Sequence, residues 1–192
     1  MRIVTYGAAC SLDGFIGGVD GSLDWLHFSA DVQESTAAYW SRIDTILMGR
    51  KTWEVGRAMA ENSEANPEWK EAMGGFTTYV FSRTLKEASV PGAHLVASDA
   101  GEFVRDLKHR PGKEICLMGG GELAQSLFAA GVIDEVTLNI HPVILGSGIP
   151  FFRDPGRRIP LVLAESRTIA GDCILATYRV TAGGKRSKRK AS

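Results

Sequence analysis

From residue 3 to residue 181 the chain alternates between short apolar segments of strand character and longer stretches of helical periodicity. That alternation constrains the fold more than any other feature. A strand that leads into a helix and then another strand cannot close a hairpin, so the crossover sets strands side by side, in parallel, with helices over the faces. Strands are expected at 3–10, 43–48, 77–82, 94–97, 114–118 and 135–141. Two more, 161–168 and 173–181, flank the turn residues Ala170-Gly171-Asp172 and read as a closing antiparallel hairpin. The expected fold is therefore α/β in three layers: a mixed, mostly parallel central sheet, a C-terminal hairpin and flanking helices. Helices are expected at 30–42, 52–59, 67–73, 102–109 and 122–130. Ser29 and Asp99 stand where N-caps belong, and Gly131 where a helix ends.

A chain of 192 residues suits one such domain, expected over 1–182, followed by a tail over 183–192. The tail holds Lys185, Arg186, Lys188, Arg189 and Lys190, and reads as a disordered, solvated end. Without these five the remainder carries 17 basic against 22 acidic residues, and that acidic balance argues against a nucleic-acid-binding face. No run approaches the roughly 20 apolar residues of a membrane helix, and the N-terminus lacks a signal peptide's apolar stretch, so the expected location is the cytoplasm. Cys10, Cys116 and Cys173 are too few and too scattered for a disulfide framework or a metal site. They read as reduced core thiols.

Chemistry concentrates where strands hand over to helices. After Ile46-Leu47-Met48 come Gly49-Arg50-Lys51-Thr52. A helix start carries free N–H groups and partial positive charge, so two cations there are unfavourable unless an anion joins them. Two solvated side chains at a surface turn would give the same sequence. The next strand ends alike, in Ser82-Arg83-Thr84, a set suited to a dianionic phosphate. Gly119-Gly120-Gly121-Glu122-Leu123 places three glycines between a strand and a helix, costly unless a backbone must come close to something. This loop also fits a Rossmann fingerprint through Gly119, Gly121 and Ala124. However, it does not open the chain, and Asp134-Glu135 come too early for the ribose carboxylate. Ser11-Leu12-Asp13-Gly14-Phe15-Ile16-Gly17-Gly18 is glycine-studded and suits a lid or an ordinary loop.

Taken in order, Ser11-Leu12-Asp13-Gly14, Met48-Gly49-Arg50-Lys51-Thr52-Trp53-Glu54, Ser82-Arg83-Thr84 and Gly119-Gly120-Gly121 resemble the dihydrofolate reductase superfamily. The stretch from Leu138-Asn139-Ile140-His141-Pro142 to Gly146-Ser147-Gly148 is similar to the branch formed by the reductase half of riboflavin-biosynthesis proteins, the RibD C-terminal domain. The resemblance implies an NADPH-dependent oxidoreductase, akin to dihydrofolate reductase or 5-amino-6-(5-phosphoribosylamino)uracil reductase, acting on a small-molecule substrate. It implies that Gly49, Arg50, Lys51 and Thr52 face the pyrophosphate and adenosine side, and that Ser82, Arg83 and the adjoining Thr84 face the 2′-phosphate. Gly119, Gly120, Gly121, Glu122 and Leu123 would cradle the pyrophosphate near the nicotinamide, with a cis peptide at Gly119–Gly120. Ala8, Ile16 and Gly17 would line the nicotinamide pocket. No metal is expected.

The superfamily's folate enzymes place one carboxylate near Trp25-Leu26-His27-Phe28-Ser29-Ala30-Asp31, which makes Asp31 the candidate proton donor and Glu34 its competitor. An acid in a helix's first turn is also expected from the dipole alone. The polar stretch 60–67 departs from folate reductases, and Arg57 does not align with their tail-binding arginine. The zinc-deaminase signature of bifunctional riboflavin proteins is absent, so only their reductase half corresponds. The substrate implied is pterin- or pyrimidine-like, reduced at C=N or C=O. A non-catalytic NADP(H)-binding or sensor module of the same fold is the alternative. The resemblance also implies a homodimer, for which the apolar runs 143–145 and 149–152 give loose support.

Overall fold

The computed structural model describes residues 1–27, 29–61, 75–86 and 92–181. The expected helix at 67–73 and the basic tail lie outside them. In chain order the elements are β1 (Val4–Ser11), β2 (Phe15–Gly17), α1 (Ala30–Ser41), β3 (Ile43–Gly49), α2 (Arg50–Glu61), β4 (Thr77–Phe81) and β5 (Ala93–Val96). There follow α3 (Ala100–His109), β6 (Glu114–Met118), α4 (Gly121–Ala129), β7 (Glu135–His141), β8 (Ile149–Pro150), β9 (Leu161–Ile169) and β10 (Cys173–Val180).

Eight strands form one sheet in the order β5-β4-β3-β6-β1-β7-β10-β9, and β2 pairs with β8 in a separate two-stranded ribbon. The six strands from β5 to β7 run parallel, β10 runs antiparallel to them, and β9, antiparallel to β10, runs with the six again. This is the α/β dihydrofolate-reductase-like fold. The helices divide between its faces. Val104 and Leu107 of α3 and Leu127 and Phe128 of α4 pack on Tyr6, Leu47, Leu117 and Val136. On the other face Tyr39 and Trp40 of α1 and Trp53 of α2 cover Ile46, Met48 and Cys116. Burial on both faces explains why the central strands read as nearly unbroken apolar runs. The three cysteines are free and buried, as expected of core thiols.

The caps follow the sequence. Ser29 Oγ accepts from the Val32 amide at 3.2 Å, and Asp99 Oδ1 accepts from Glu102 at 2.9 Å. α4 starts without a side-chain cap, because Gly120 holds its N-cap position. Among the described residues no helix is long and apolar enough to cross a membrane.

Two expectations change. The helix after β3 begins at Arg50 rather than residue 52, so both cations lie inside its first turn. The Gly119–Gly120 peptide is trans: no cis bond occurs among the described residues, and the turn is made by Gly119 at φ 104°.

Candidate active site

β1 pairs with β6 only from Val4↔Ile115 to Tyr6↔Leu117, whereas its ladder with β7 runs on to Ser11↔His141. Beyond Tyr6 the two central strands therefore part. The chain leaves β1 toward β3 on one side and leaves β6 through α4 toward β7 on the other. A gap at such a reversal, outside the carboxyl ends of parallel strands, is where α/β sheets take ligands.

All three glycine- or cation-bearing loops meet at this edge, because β4, β3 and β6 are parallel neighbours. The Gly119 turn lies against α2: a Cβ on Gly119 would overlap the Thr52 side chain. A Cβ on Gly121 would come 3.1 Å from the Arg153 backbone nitrogen. Thr52 and Arg153 thus pack where side chains on these two glycines would stand, and Gly120 between them faces open space at the uncapped start of α4, which makes this turn a candidate anion cradle. Lys51 Nζ and Arg153 Nη2 converge on Glu122 Oε1 at 3.4 and 3.5 Å. Arg50 pairs with Glu54 along its own helix at 2.9 Å. The excess of cation at the start of α2 is thus balanced by two carboxylates, with which an arriving phosphate has to compete. Ser82 Oγ accepts from the amides of Thr84 (3.2 Å) and Leu85 (3.0 Å), turning the chain so that Arg83 is exposed beside the other loops. Arg153 had no motif to mark it; only its approach to Gly121 places it here.

Ala8 lies in the stretch of β1 that has left β6. Ile16 and Gly17 sit on β2, which β8 holds through Phe15↔Pro150 and Gly17↔Ile149. Asp13 fastens this flap: its carboxylate accepts from Ser11 Oγ at 2.6 Å and from the amides of Leu145 (3.2 Å) and Gly146 (2.8 Å). Those bonds hold its carboxyl below the usual carboxylate range.

Under α1 the sheet forms a half-open cavity of about 480 Å³. Its floor is small, Gly7 and Ala9 of β1, and its roof includes Val32, Thr36, Tyr39 and Trp40 of α1. Thr137, Asn139 and His141 of β7 point into it from alternate positions, joined by Thr177 of β10 and by Glu165 and Arg167 of β9. His141 is only 2% exposed. Burial and the nearby His27 hold its pKa below the ordinary value. Asp31 and Glu34 are both exposed on α1 and neither lines the cavity. Asp31 is displaced by one residue, about 100° around the helix, from Val32 on the lining face. Among the described residues Glu165 is the one carboxylate on the cavity wall. The strand periodicity of β7 was visible in the sequence, but the meeting of β1, β7, β10 and β9 under α1 was not.

A mostly parallel sheet that splays at its switch point, with a glycine loop on one side and a half-open cavity on the other, belongs to the class of dihydrofolate-reductase-like proteins. The sequence pattern of the RibD C-terminal domain matches residues 2–175, and the chain belongs to that family. It is 36% identical over 181 residues to the uncharacterised protein YyaP of Bacillus subtilis (strain 168), covering 92% of this chain and 94% of YyaP. Among solved structures, a protein of Shewanella sp. PV-4 assigned to riboflavin biosynthesis superposes with a TM-score of 0.78 at 24% identity, over 94% of this chain and all of that one. A dihydrofolate reductase of Enterococcus faecalis complexed with NADP(H) superposes with a TM-score of 0.61 at 16% identity, over 94% and 97% of the two chains.

Proposed function

We propose that this protein is an NADPH-dependent reductase that delivers a hydride to a C=N or C=O bond of a small pterin- or pyrimidine-like heterocycle. The observation that carries the reading is the end of the β1–β6 ladder at Tyr6, because Ala8, just beyond it, lines the cavity under α1 while the glycine loop begins at the end of β6. The cradle fits a dinucleotide phosphate chemically: amide-lined, uncapped and flanked by Lys51 and Arg153. Gly49, Arg50, Lys51, Thr52 and residues 119–123 would hold the pyrophosphate, Ser82, Arg83 and Thr84 the 2′-phosphate, and Ala8, Ile16 and Gly17 the nicotinamide. When bound, the cofactor supplies the hydride. The chain's own contribution is to fix the acceptor ring in the cavity, exclude water under α1 and provide a proton.

Asp31 is the proton donor in this proposal, and Glu34 its competitor. Asp31→Asn is expected to lower turnover at least tenfold with NADPH affinity unchanged; unchanged turnover removes Asp31 from the role. The exposure of Asp31 favours a second reading, a non-catalytic NADP(H)-binding or sensor module. The two separate in one pair of measurements. A thermal-shift titration should show NADPH stabilising the protein well beyond NADH, by about 2.7 kcal/mol at roughly 100 times its Kd. NADPH oxidation with a panel of pterins and pyrimidine ribosides, 5-amino-6-(5-phosphoribosylamino)uracil among them, should then show turnover. Binding without any turnover supports the sensor, and no shift with either nucleotide rejects both.

We further propose that the protein assembles as a homodimer along β9, an edge strand on which Leu161, Val162 and Leu163 are each at least 40% exposed.

A further inference from the structure

We infer that Asn139 and His141 are the residues by which the cavity selects its ring: His141 donates from Nε2 to an exocyclic carbonyl oxygen, and the Asn139 carboxamide oxygen accepts from an exocyclic NH2 group of the same ring. The inference rests on the reading of this cavity as the site of the hydride acceptor.

Residues two apart on a strand share a face, about 6.8 Å apart. Three polar side chains therefore line up along β7 over the cavity, at Thr137, Asn139 and His141. Thr137 already has a partner, since its hydroxyl meets Thr177 Oγ1 at 3.4 Å. Each of the other two keeps one atom without a partner. Asn139 Oδ1 and His141 Nε2 are buried and without a hydrogen-bond partner among the described residues. Folded proteins rarely leave buried polar atoms orphaned, and two on adjacent positions of one cavity wall mark where a ligand completes the network.

The tautomer of His141 follows from its other nitrogen. Nδ1 accepts from the His27 backbone amide at 3.2 Å, and Cys173 Sγ lies 3.5 Å from the same atom. A nitrogen that accepts carries no proton, so the neutral ring bears its hydrogen on Nε2. Burial keeps the ring neutral. His141 is thus a fixed donor rather than a shuttle. Trp25 stands edge-on to it, centroids 5.4 Å apart at 89°, and backs the ring.

The rest of the cavity favours a flat guest. Gly7 and Ala9 leave the floor level, and a Cβ on Gly7 would come 3.0 Å from the Thr137 carbonyl oxygen. A ring lying between this floor and the α1 aromatics presents its edge to β7. One donor and one acceptor along that wall match an oxo-amino heterocycle. They leave a hydrocarbon ring or a ring with acceptors alone half satisfied, the kind of mismatch that discriminates strongly.

The test uses the NADPH-loaded full chain and three probes: pterin (2-amino-4-oxopteridine), 2-aminopteridine and 4-oxopteridine, each titrated by quenching of tryptophan fluorescence. Wild type should prefer pterin at least tenfold over both others. His141→Phe should abolish the preference over 2-aminopteridine and keep that over 4-oxopteridine, while Asn139→Leu should do the reverse. NADPH affinity should stay within twofold in both. Loss of all binding together, or of folding seen by circular dichroism, would mark His141 as structural, and Asn139→Leu then carries the test alone. Pterin binding by wild type with preferences unmoved by either substitution overturns this inference and leaves the cavity reading intact. Failure of wild type to bind any of the three overturns both.

Discussion

Gly119 shows how one residue ties the sheet to the candidate site. Its φ of 104° lies where a side chain is strained, and a Cβ there would run into Thr52 at the first turn of α2. The glycine lets the end of β6 touch the end of β3, so two loops become one cradle. Gly119→Ala is expected to lower stability by about 1–3 kcal/mol, the usual range for a side chain forced into such a conformation. NADPH affinity should fall with it. Thr52→Ala in the same chain should return part of the stability, since it removes atoms that collide, and thermal melting of the single and double variants measures that coupling. Full additivity would show that the Gly119–Thr52 approach has no energetic weight. The charged residues nearby act differently. Lys51, Arg153 and Glu122 are exposed, and such pairs are worth little to stability. In the proposed cofactor site their bearing would be on which anion can enter.

At the scale of elements the site depends on a flap. β2 and β8 are short, and their ribbon gains support from Leu12 donating to Val143 O at 2.8 Å and Phe151 donating to Gly14 O at 2.9 Å, besides the Asp13 carboxylate. Because Asp13 has its pKa lowered in the fold, its contribution is complete above the unfolded value of about 3.9 and is lost as pH falls through the folded one. Amide exchange at Gly146 should therefore stay slow from pH 7 to 5 and quicken only in stronger acid. Asp13→Ala should show fast exchange throughout residues 12–17 and 143–150 at every pH, with little change in the melting of the main sheet. Equal exchange in the two proteins would mean the backbone pairs hold the flap unaided. None of this was legible as structure in the sequence. Ser11 to Gly18 read as a glycine-rich loop, since a two-residue β8 has no period to detect. The long elements were legible: β6 and β7 fall where their apolar alternation placed them, and Ser29 and Asp99 cap as their side chains suggest. What alternation cannot give is strand order. Asn139 and His141 were visible only as part of a family-like stretch, because their shared cavity exists once β7 lies between β1 and β10. Asp31 was singled out by position in a resemblance, and helix geometry alone turns it away from the lining face.

At the scale of the whole molecule the sheet ends unevenly. β5 closes one side as a four-residue strand, short enough to offer little to another chain. β9, at the other side, is nine residues long, and every residue but Ile169 is exposed. Successive strand residues face opposite sides, so Leu161 and Leu163 emerge on one face and Val162 on the other. Leu161, Val162 and Leu163 form an apolar margin that a solitary chain would leave in water. The same strand carries Glu165 and Arg167 to the cavity wall, so a second copy seated there would also screen the cavity's outer side. Light scattering after size exclusion should give twice the chain mass, falling to one chain in a Leu161→Glu/Val162→Glu variant that still melts cooperatively. NADPH affinity should be unchanged in that variant, because the cofactor loops lie across the sheet from β9. A wild type that elutes as a single chain at every concentration would remove the dimer, and the margin would then have to be covered by something other than a second copy.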